Sequence, residues 1–139
     1  MIIFNFETDF NLENTDKITN WISTTIKKEN YQLGDISYVF CDDKYLLDLN
    51  NKYLNHDTLT DIISFDYSEE DIISGDIFIS IERVKDNAKK FKISFIEELY
   101  RVIIHGVLHY CGYKDKTEIE KIEMRNKENK YLSLIERNQ

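Results

Sequence analysis

The spacing of apolar residues changes several times along this chain, and each change marks a predicted helix or strand. Apolar residues two apart are typical of strands, whereas spacings of three and four residues are typical of amphipathic helices. Strand-like pattern or β-branched and aromatic composition occurs at residues 2–6, 36–41, 62–67 and 76–81. Helical spacing occurs at residues 18–26, 45–53, 84–91, 95–111 and 122–135. The predicted order is therefore β-α-β-α-β-β-α-α-α.

Helix-start and helix-stop signals support several of these boundaries. Ser94 with Glu97, and Thr117 with Glu120, have the S/T-x-x-E spacing of a capping box, which opens a helix. Gly112 is placed to end the helix that Ser94 opens. We predict an α+β fold: a single domain over residues 1–139, with a small mixed four-stranded sheet packed by about five helices.

Composition narrows the class of protein. No apolar run reaches the length that crosses a bilayer, and the first ten residues lack the basic segment of a signal peptide. The sequence therefore predicts a cytoplasmic protein without a membrane partner, whose Cys41 and Cys111 are reduced thiols rather than a disulfide. A net charge of −8 disfavours nucleic acid at long range. A basic patch or a bound cation would overcome that repulsion locally.

The segment from His105 to Asp115 carries the most specific chemistry. Residues four apart lie on one face of a helix, so His105 and His109 can reach the same metal ion. Gly112 allows the chain to turn back, which lets Asp115 complete a set of three ligands. Three protein ligands with one open position are typical of a catalytic zinc site. The alternative is that both histidines are ordinary helix residues satisfied by polar neighbours.

The same spacing, H-x-x-x-H-x-x-G-x-x-D, occurs in zinc peptidases. Those enzymes use a glutamate directly after the first histidine as their general base. This chain has Gly106 at that position, which carries no proton acceptor. The peptidase interpretation is therefore weakened.

The segment also resembles the YbeY family of single-strand-specific metallo-endoribonucleases, which act in bacterial ribosomal RNA maturation. The family pattern H-G-x-L-H-x-x-G-Y matches residues 105–113, and three upstream segments match in the same order. These are Leu49-Asn50 with Tyr53, then Thr60-Asp61-Ile62-Ile63-Ser64-Phe65, and Gly75-Asp76-Ile77. The resemblance implies an α+β fold with the metal in a cleft between the histidine helix and the sheet.

Two positions depart from the family pattern. Asp115 stands where the family usually has a third histidine; a carboxylate also binds zinc, and it widens the choice towards Mn²⁺, Fe²⁺ or Co²⁺. Leu54 stands where the family has an arginine suited to clamp phosphate. Lys52, Arg101 and Lys114 are possible substitutes.

The cleft walls are less strongly predicted. Asp61 is a candidate to orient a ligand or water, and Thr60, Ser64 and Lys114 are candidates to meet the substrate. The alternative for each is a turn, strand or surface role. The densest basic cluster is assigned to a solvated helix face, with phosphate contact as the alternative; it consists of Lys85, Lys89, Lys90 and Lys92. His56 is assigned to the surface.

The sequence thus predicts an endoribonuclease dependent on one divalent metal ion, with zinc first. Its expected partners are single-stranded RNA, with ribosomal RNA and ribosomal particles implied by the resemblance, and no DNA. Two rivals remain open: a metallopeptidase of unusual mechanism, and a non-catalytic ribosome-associated module braced by its metal. No residue is assigned as the proton carrier.

Overall fold

The computed structural model describes residues 1–54 and 59–137, so His56 lies outside the described residues. Within them, helices and strands follow the predicted order. The strands are β1 (Ile2–Phe6), β2 (Gln32–Cys41), β3 (Ile62–Asp66) and β4 (Ile72–Ser80). The helices are α1 (Thr15–Lys28), α2 (Asp43–Leu54), α3 (Ile81–Phe91), α4 (Phe95–Tyr110) and α5 (Glu118–Arg137).

The four strands form one mixed sheet in the order β1-β2-β4-β3. β1, β2 and β4 are parallel, and β3 pairs antiparallel with β4 at the edge. The predicted small mixed sheet is therefore confirmed. β3 lies at the edge of the sheet and contacts α4, so the residues that precede β3 lie close to that helix.

Two strands begin earlier than their patterns predicted. β2 starts at Gln32 rather than residue 36, and β4 starts at Ile72 rather than residue 76. The two extensions support each other, because Gln32 pairs with Ile72 and its N–H donates to the carbonyl of Asp71. β4 also ends one residue early, at Ser80, whose hydroxyl accepts from the N–H of Arg83 and caps α3.

The main core lies between α4 and one face of the sheet. Ten residues of α4 are buried, and Gly106 faces the strands directly. A β-carbon there would lie 3.0 Å from Ile77 Cδ1 and 3.2 Å from Ile62 Cδ1, so glycine sets how closely helix and sheet approach. A smaller cluster with Leu46 of α2 and Ile63 at its centre forms a second core.

The apolar residues whose spacing predicted a helix at 122–135 do not all lie on the buried face of α5. Tyr131, Leu132 and Ile135 are buried as expected, but Ile122 is 61% exposed. The buried stripe instead continues through Met124 and Glu128 at helical spacing. A carboxylate thus occupies a core-facing position, where it lies against His105 of α4.

Both cysteines are buried and carry free thiols, as predicted. Burial is the main cause that raises the pKa of Cys41 and of Cys111 to about 12, so both remain protonated, apolar side chains near neutral pH. In the part of the chain that the structure describes, no helix is both long enough and apolar enough to cross a bilayer.

Candidate metal centre

His105 and His109 lie one turn apart on α4, on a strip of the helix that the sheet leaves partly open. Their imidazole Nε2 atoms are 3.0 Å apart. The two rings are nearly perpendicular, with centroids 4.5 Å apart. The helix geometry therefore directs one nitrogen from each ring to a common point.

The end of α4 brings the third group to that point. Gly112 has φ +98°, a left-handed conformation that side chains disfavour. The N–H groups of Gly112 and Tyr113 donate to the carbonyls of His109 and Leu108, which closes the helix and reverses the chain. Asp115 Oδ2 then lies 3.2 Å from His105 Nε2 and 3.4 Å from His109 Nε2.

The other nitrogen of each histidine meets a group that accepts hydrogen bonds. His105 Nδ1 lies 2.7 Å from Glu128 Oε2, and His109 Nδ1 lies 2.9 Å from the carbonyl oxygen of Tyr113. A carboxylate and a carbonyl can only accept, so each Nδ1 must carry the proton and donate it. In the neutral imidazoles, both Nε2 atoms are consequently left with a free lone pair.

These three atoms fit a divalent metal ion. In a tetrahedral zinc site with bonds near 2.1 Å, neighbouring ligand atoms lie about 3.4 Å apart. The three separations found here, 3.0, 3.2 and 3.4 Å, are close to that value. Within the described residues, His105, His109 and Asp115 form the group of potential ligands that can hold a metal ion.

Glu128 lies at the candidate site, although the sequence did not reveal it. Its second oxygen accepts from Arg101 Nη1 at 3.0 Å, and Arg125 Nη1 lies 3.7 Å away. Burial opposes ionisation, but the hydrogen bonds from His105 and Arg101 outweigh it and lower the pKa of Glu128. For His105, burial lowers the pKa, while the bond to Glu128 and neighbouring carboxylates give a net rise. The signal that could have found Glu128 is its place in the buried stripe of α5.

A pocket of about 260 Å³ opens beside His105. Four carboxyl groups and two guanidinium groups line it: Asp61, Glu98, Asp115, Glu128, Arg101 and Arg125. The acidic excess makes the pocket a favourable place for a cation. It is also unfavourable for phosphate until a cation is bound.

Two of these carboxyl groups hold protons more tightly than usual. Burial is the first cause in both cases. It raises the pKa of Asp61, and together with the charge of Asp61 it raises the pKa of Glu98 to about 7. Glu98 Oε1 is buried and has no hydrogen-bond partner among the described residues.

The remaining predicted residues divide between the pocket and its surroundings. Asp61 and Arg101 line the pocket, as a role near the metal requires. Thr60 Oγ1 bonds to the carbonyl of Ile62 at 3.3 Å, and Ser64 pairs with Ile77 inside the sheet. Lys114 is exposed, next to Asp115. Contact of Thr60, Ser64 and Lys114 with substrate stays a prediction.

Lys52, the first possible substitute for the family's phosphate-binding arginine, does not line the pocket beside His105. Lys52 lies on α2, where its Nζ is 5.2 Å from the ring centroid of Tyr53. Neither residue lines the pocket beside His105. Arg101 does, but its Nη1 is already bonded to Glu128 and Asn129.

A mixed sheet covered by a histidine-bearing helix, with two imidazoles and a carboxylate converging at an acidic pocket, defines an α+β protein with a candidate mononuclear metal centre. Residues 3–136 match the family model described as Endoribonuclease YbeY. The chain belongs to the YbeY endoribonuclease family.

Similar proteins match along almost the whole chain. Endoribonuclease YbeY of Flavobacterium psychrophilum is 58% identical over 135 residues, covering 97% of this chain and 96% of the relative. The protein of that name from Flavobacterium johnsoniae is 56% identical, covering 97% of each chain. A solution structure of a Thermotoga maritima protein has a TM-score of 0.69 at 26% identity, covering 97% of this chain and 89% of the other.

Proposed function

We propose that this protein is a metal-dependent endoribonuclease that cuts single-stranded RNA. The observation that carries the proposal is the convergence of His105, His109 and Asp115 beside a pocket that His105 and Asp115 line, in a chain whose relatives bear the name endoribonuclease. Ribosomal RNA and ribosomal particles are the proposed substrates, in RNA maturation and ribosome quality control. The cytoplasm is the proposed location.

One divalent metal ion, with zinc as the first candidate, would be held by the two Nε2 atoms and the carboxylate of Asp115. When bound, it supplies a Lewis acid that polarises a phosphoryl oxygen and stabilises negative charge during phosphodiester cleavage. The oxygen ligand also makes Mn²⁺, Fe²⁺ and Co²⁺ reasonable occupants.

The chain's own residues prepare the site for this chemistry. Glu128 and the carbonyl of Tyr113 fix the proton on each Nδ1, which orients the rings and keeps Nε2 free. Arg101 holds the outer oxygen of Glu128 in place. Asp61 and Glu98 have raised pKa values and line the pocket, so they are the proposed proton carriers.

The geometry at Gly106 disfavours the peptidase alternative. Position 106 packs against Ile62 and Ile77, where even one added carbon is crowded. A glutamate there would enter the core rather than face a bound water. The site therefore lacks both the general base of the peptidases and the space for it.

The experiment compares metal-loaded wild type with His109→Ala on a single-stranded RNA, its duplex and casein. We expect cleavage of the single strand, little cleavage of the duplex, none of casein, and loss of RNA cleavage in the variant. Cleavage of casein would support the peptidase. Equal RNA cleavage by His109→Ala would overturn the proposed site. If neither protein cuts RNA and the variant has a lower melting temperature than wild type, the metal only stabilises the fold.

A further inference from the structure

An exposed aromatic ring forms part of the pocket beside His105. Phe91, the last residue of α3, lines this pocket together with His105 and Asp115, yet it is 51% exposed. Among the large hydrophobic residues that are exposed in 1–54 and 59–137, Phe91 alone lines this pocket. Single exposed apolar residues are common on protein surfaces. An exposed ring at the wall of a candidate catalytic pocket is a more specific arrangement.

Positive charge surrounds this ring in a chain that is acidic overall. Lys89, Lys90 and Lys92 flank Phe91 in the sequence and are exposed. The Nζ of Lys90 lies 5.9 Å from the centroid of the Phe91 ring. On another wall, Arg125 has a side chain that is 57% exposed. The ring is thus accompanied by cations that match the charge of a phosphate backbone.

We infer that Phe91 stacks on an unpaired base of the RNA substrate beside the metal centre, with the neighbouring lysines contacting its phosphates. The inference rests on the proposed function and adds a residue that selects the substrate. Every base has a π-face that an aromatic side chain can cover, so this contact accepts many sequences. A base inside a duplex is already stacked on its neighbours and cannot reach the ring. Phe91 therefore supplies a physical reason for preferring single strands.

A second aromatic surface serves as an internal comparison. Phe65, Tyr67 and Phe78 line a groove on the sheet face that α2 packs against. This groove shares no lining residue with the pocket beside His105. Tyr67 is exposed like Phe91, but it lines this groove and not the pocket beside His105. Tyr67→Leu is therefore the matched control for Phe91→Leu.

The test measures kcat and KM for a short single-stranded RNA, and in parallel the affinity of metal-loaded protein for that RNA by fluorescence anisotropy. Phe91→Leu keeps an apolar side chain but removes the ring. We expect it to raise KM and weaken binding at least about fivefold, with kcat little changed. Phe91→Trp should bind as well as wild type or better, and Tyr67→Leu should match wild type. All variants should retain the wild-type melting temperature, since the ring is half exposed.

A series of RNAs, each with one abasic nucleotide at a different position, provides a readout that a merely structural role would not change. Wild type should bind one member of the series markedly less well, and Phe91→Leu should not distinguish it. If wild type cuts RNA and Phe91→Leu has the same KM, the inference is wrong while the proposed function stands. If wild type binds RNA without cutting it, the proposed function fails and anisotropy still decides the role of Phe91. Absence of RNA binding by metal-loaded wild type would overturn both.

Discussion

At the scale of single residues, the site separates into groups that local sequence reveals and groups that only the fold brings close. His105 and His109 are four residues apart, and Asp115 follows a glycine turn, so spacing alone placed them near each other. Glu128 comes from another helix, 23 residues further along, and no motif marks it. Its contact with His105 depends on how α5 packs against α4, which spacing cannot show.

Glu128 gives the first prediction. Replacing Glu128 with glutamine keeps the shape but removes the charge that orients His105 and pairs with Arg101. We expect affinity for Zn²⁺ to fall by about tenfold or more, as is usual when the partner of a metal-bound histidine is lost. Glu123→Gln, an exposed site on the same helix, is the control. Competition against a chelator measures the affinity; an unchanged value in Glu128→Gln would contradict the positioning role.

Glu98 predicts a pH dependence of stability. The ordinary pKa of a glutamate is 4.5, and burial, which favours the neutral form, raises the pKa of Glu98 in the folded protein to about 7. Below about pH 4.5 the carboxyl is protonated in both the folded and the unfolded chain, so its burial costs no stability. As pH rises through 7 the buried carboxyl must ionise, and the free energy of unfolding falls. Metal-free Glu98→Gln should gain melting temperature relative to wild type as pH rises from 5 to 8. Glu97→Gln, outside the pocket, should show no such gain. A constant difference for Glu98→Gln across this range would show that the carboxyl is not perturbed.

At the scale of helices and strands, the sequence was informative where the signal is local. The capping box of Thr117 and Glu120 forms in both directions, because each backbone N–H donates to the other residue's side chain. At Ser94 the N-cap bond forms, since the N–H of Glu97 donates to Ser94 Oγ. The errors lie where pairing or packing decides. The early starts of β2 and β4 depend on their contact with each other, and the exposure of Ile122 depends on which face of α5 meets α4. Neither contact can be deduced from a single segment.

The turn after α4 gives a prediction at this scale. Gly112 adopts φ +98°, so Gly112→Ala forces a side chain into a disfavoured conformation, at a cost of about 1–2 kcal/mol. We expect a lower melting temperature and weaker metal binding, because the same turn delivers Asp115. Gly112→Asn should lose less, since asparagine tolerates positive φ better. Thermal denaturation and metal titration test both variants. Wild-type behaviour of Gly112→Ala would mean that the turn relaxes without moving Asp115.

At the scale of the whole molecule, the net charge of −8 was an argument against a nucleic-acid partner. The fold shows how that charge is distributed. Four carboxyl groups are concentrated around the candidate metal centre, while lysines flank Phe91 at its rim. A cation bound among the carboxyl groups offsets the local charge that would repel phosphate. Composition gave the total charge, and only the tertiary structure could locate it.

This distribution predicts that the metal stabilises the whole protein. A ligand that binds only the native state raises the free energy of unfolding in proportion to the logarithm of its concentration. Adding Zn²⁺ to metal-free wild type should therefore raise its melting temperature, and a chelator should reverse the rise. His109→Ala should show little or no rise. An equal shift in that variant would place the stabilising ion elsewhere.

The central claim, that one metal ion at His105, His109 and Asp115 supports RNA cleavage, is tested most directly by titrating metal-free protein with Zn²⁺ while measuring cleavage of a single-stranded RNA. We predict that activity rises with bound metal and saturates at one ion per chain, and that Asp115→Ala requires far more metal to reach any activity. Full cleavage by rigorously metal-free wild type, or an unchanged titration of Asp115→Ala, would contradict the account.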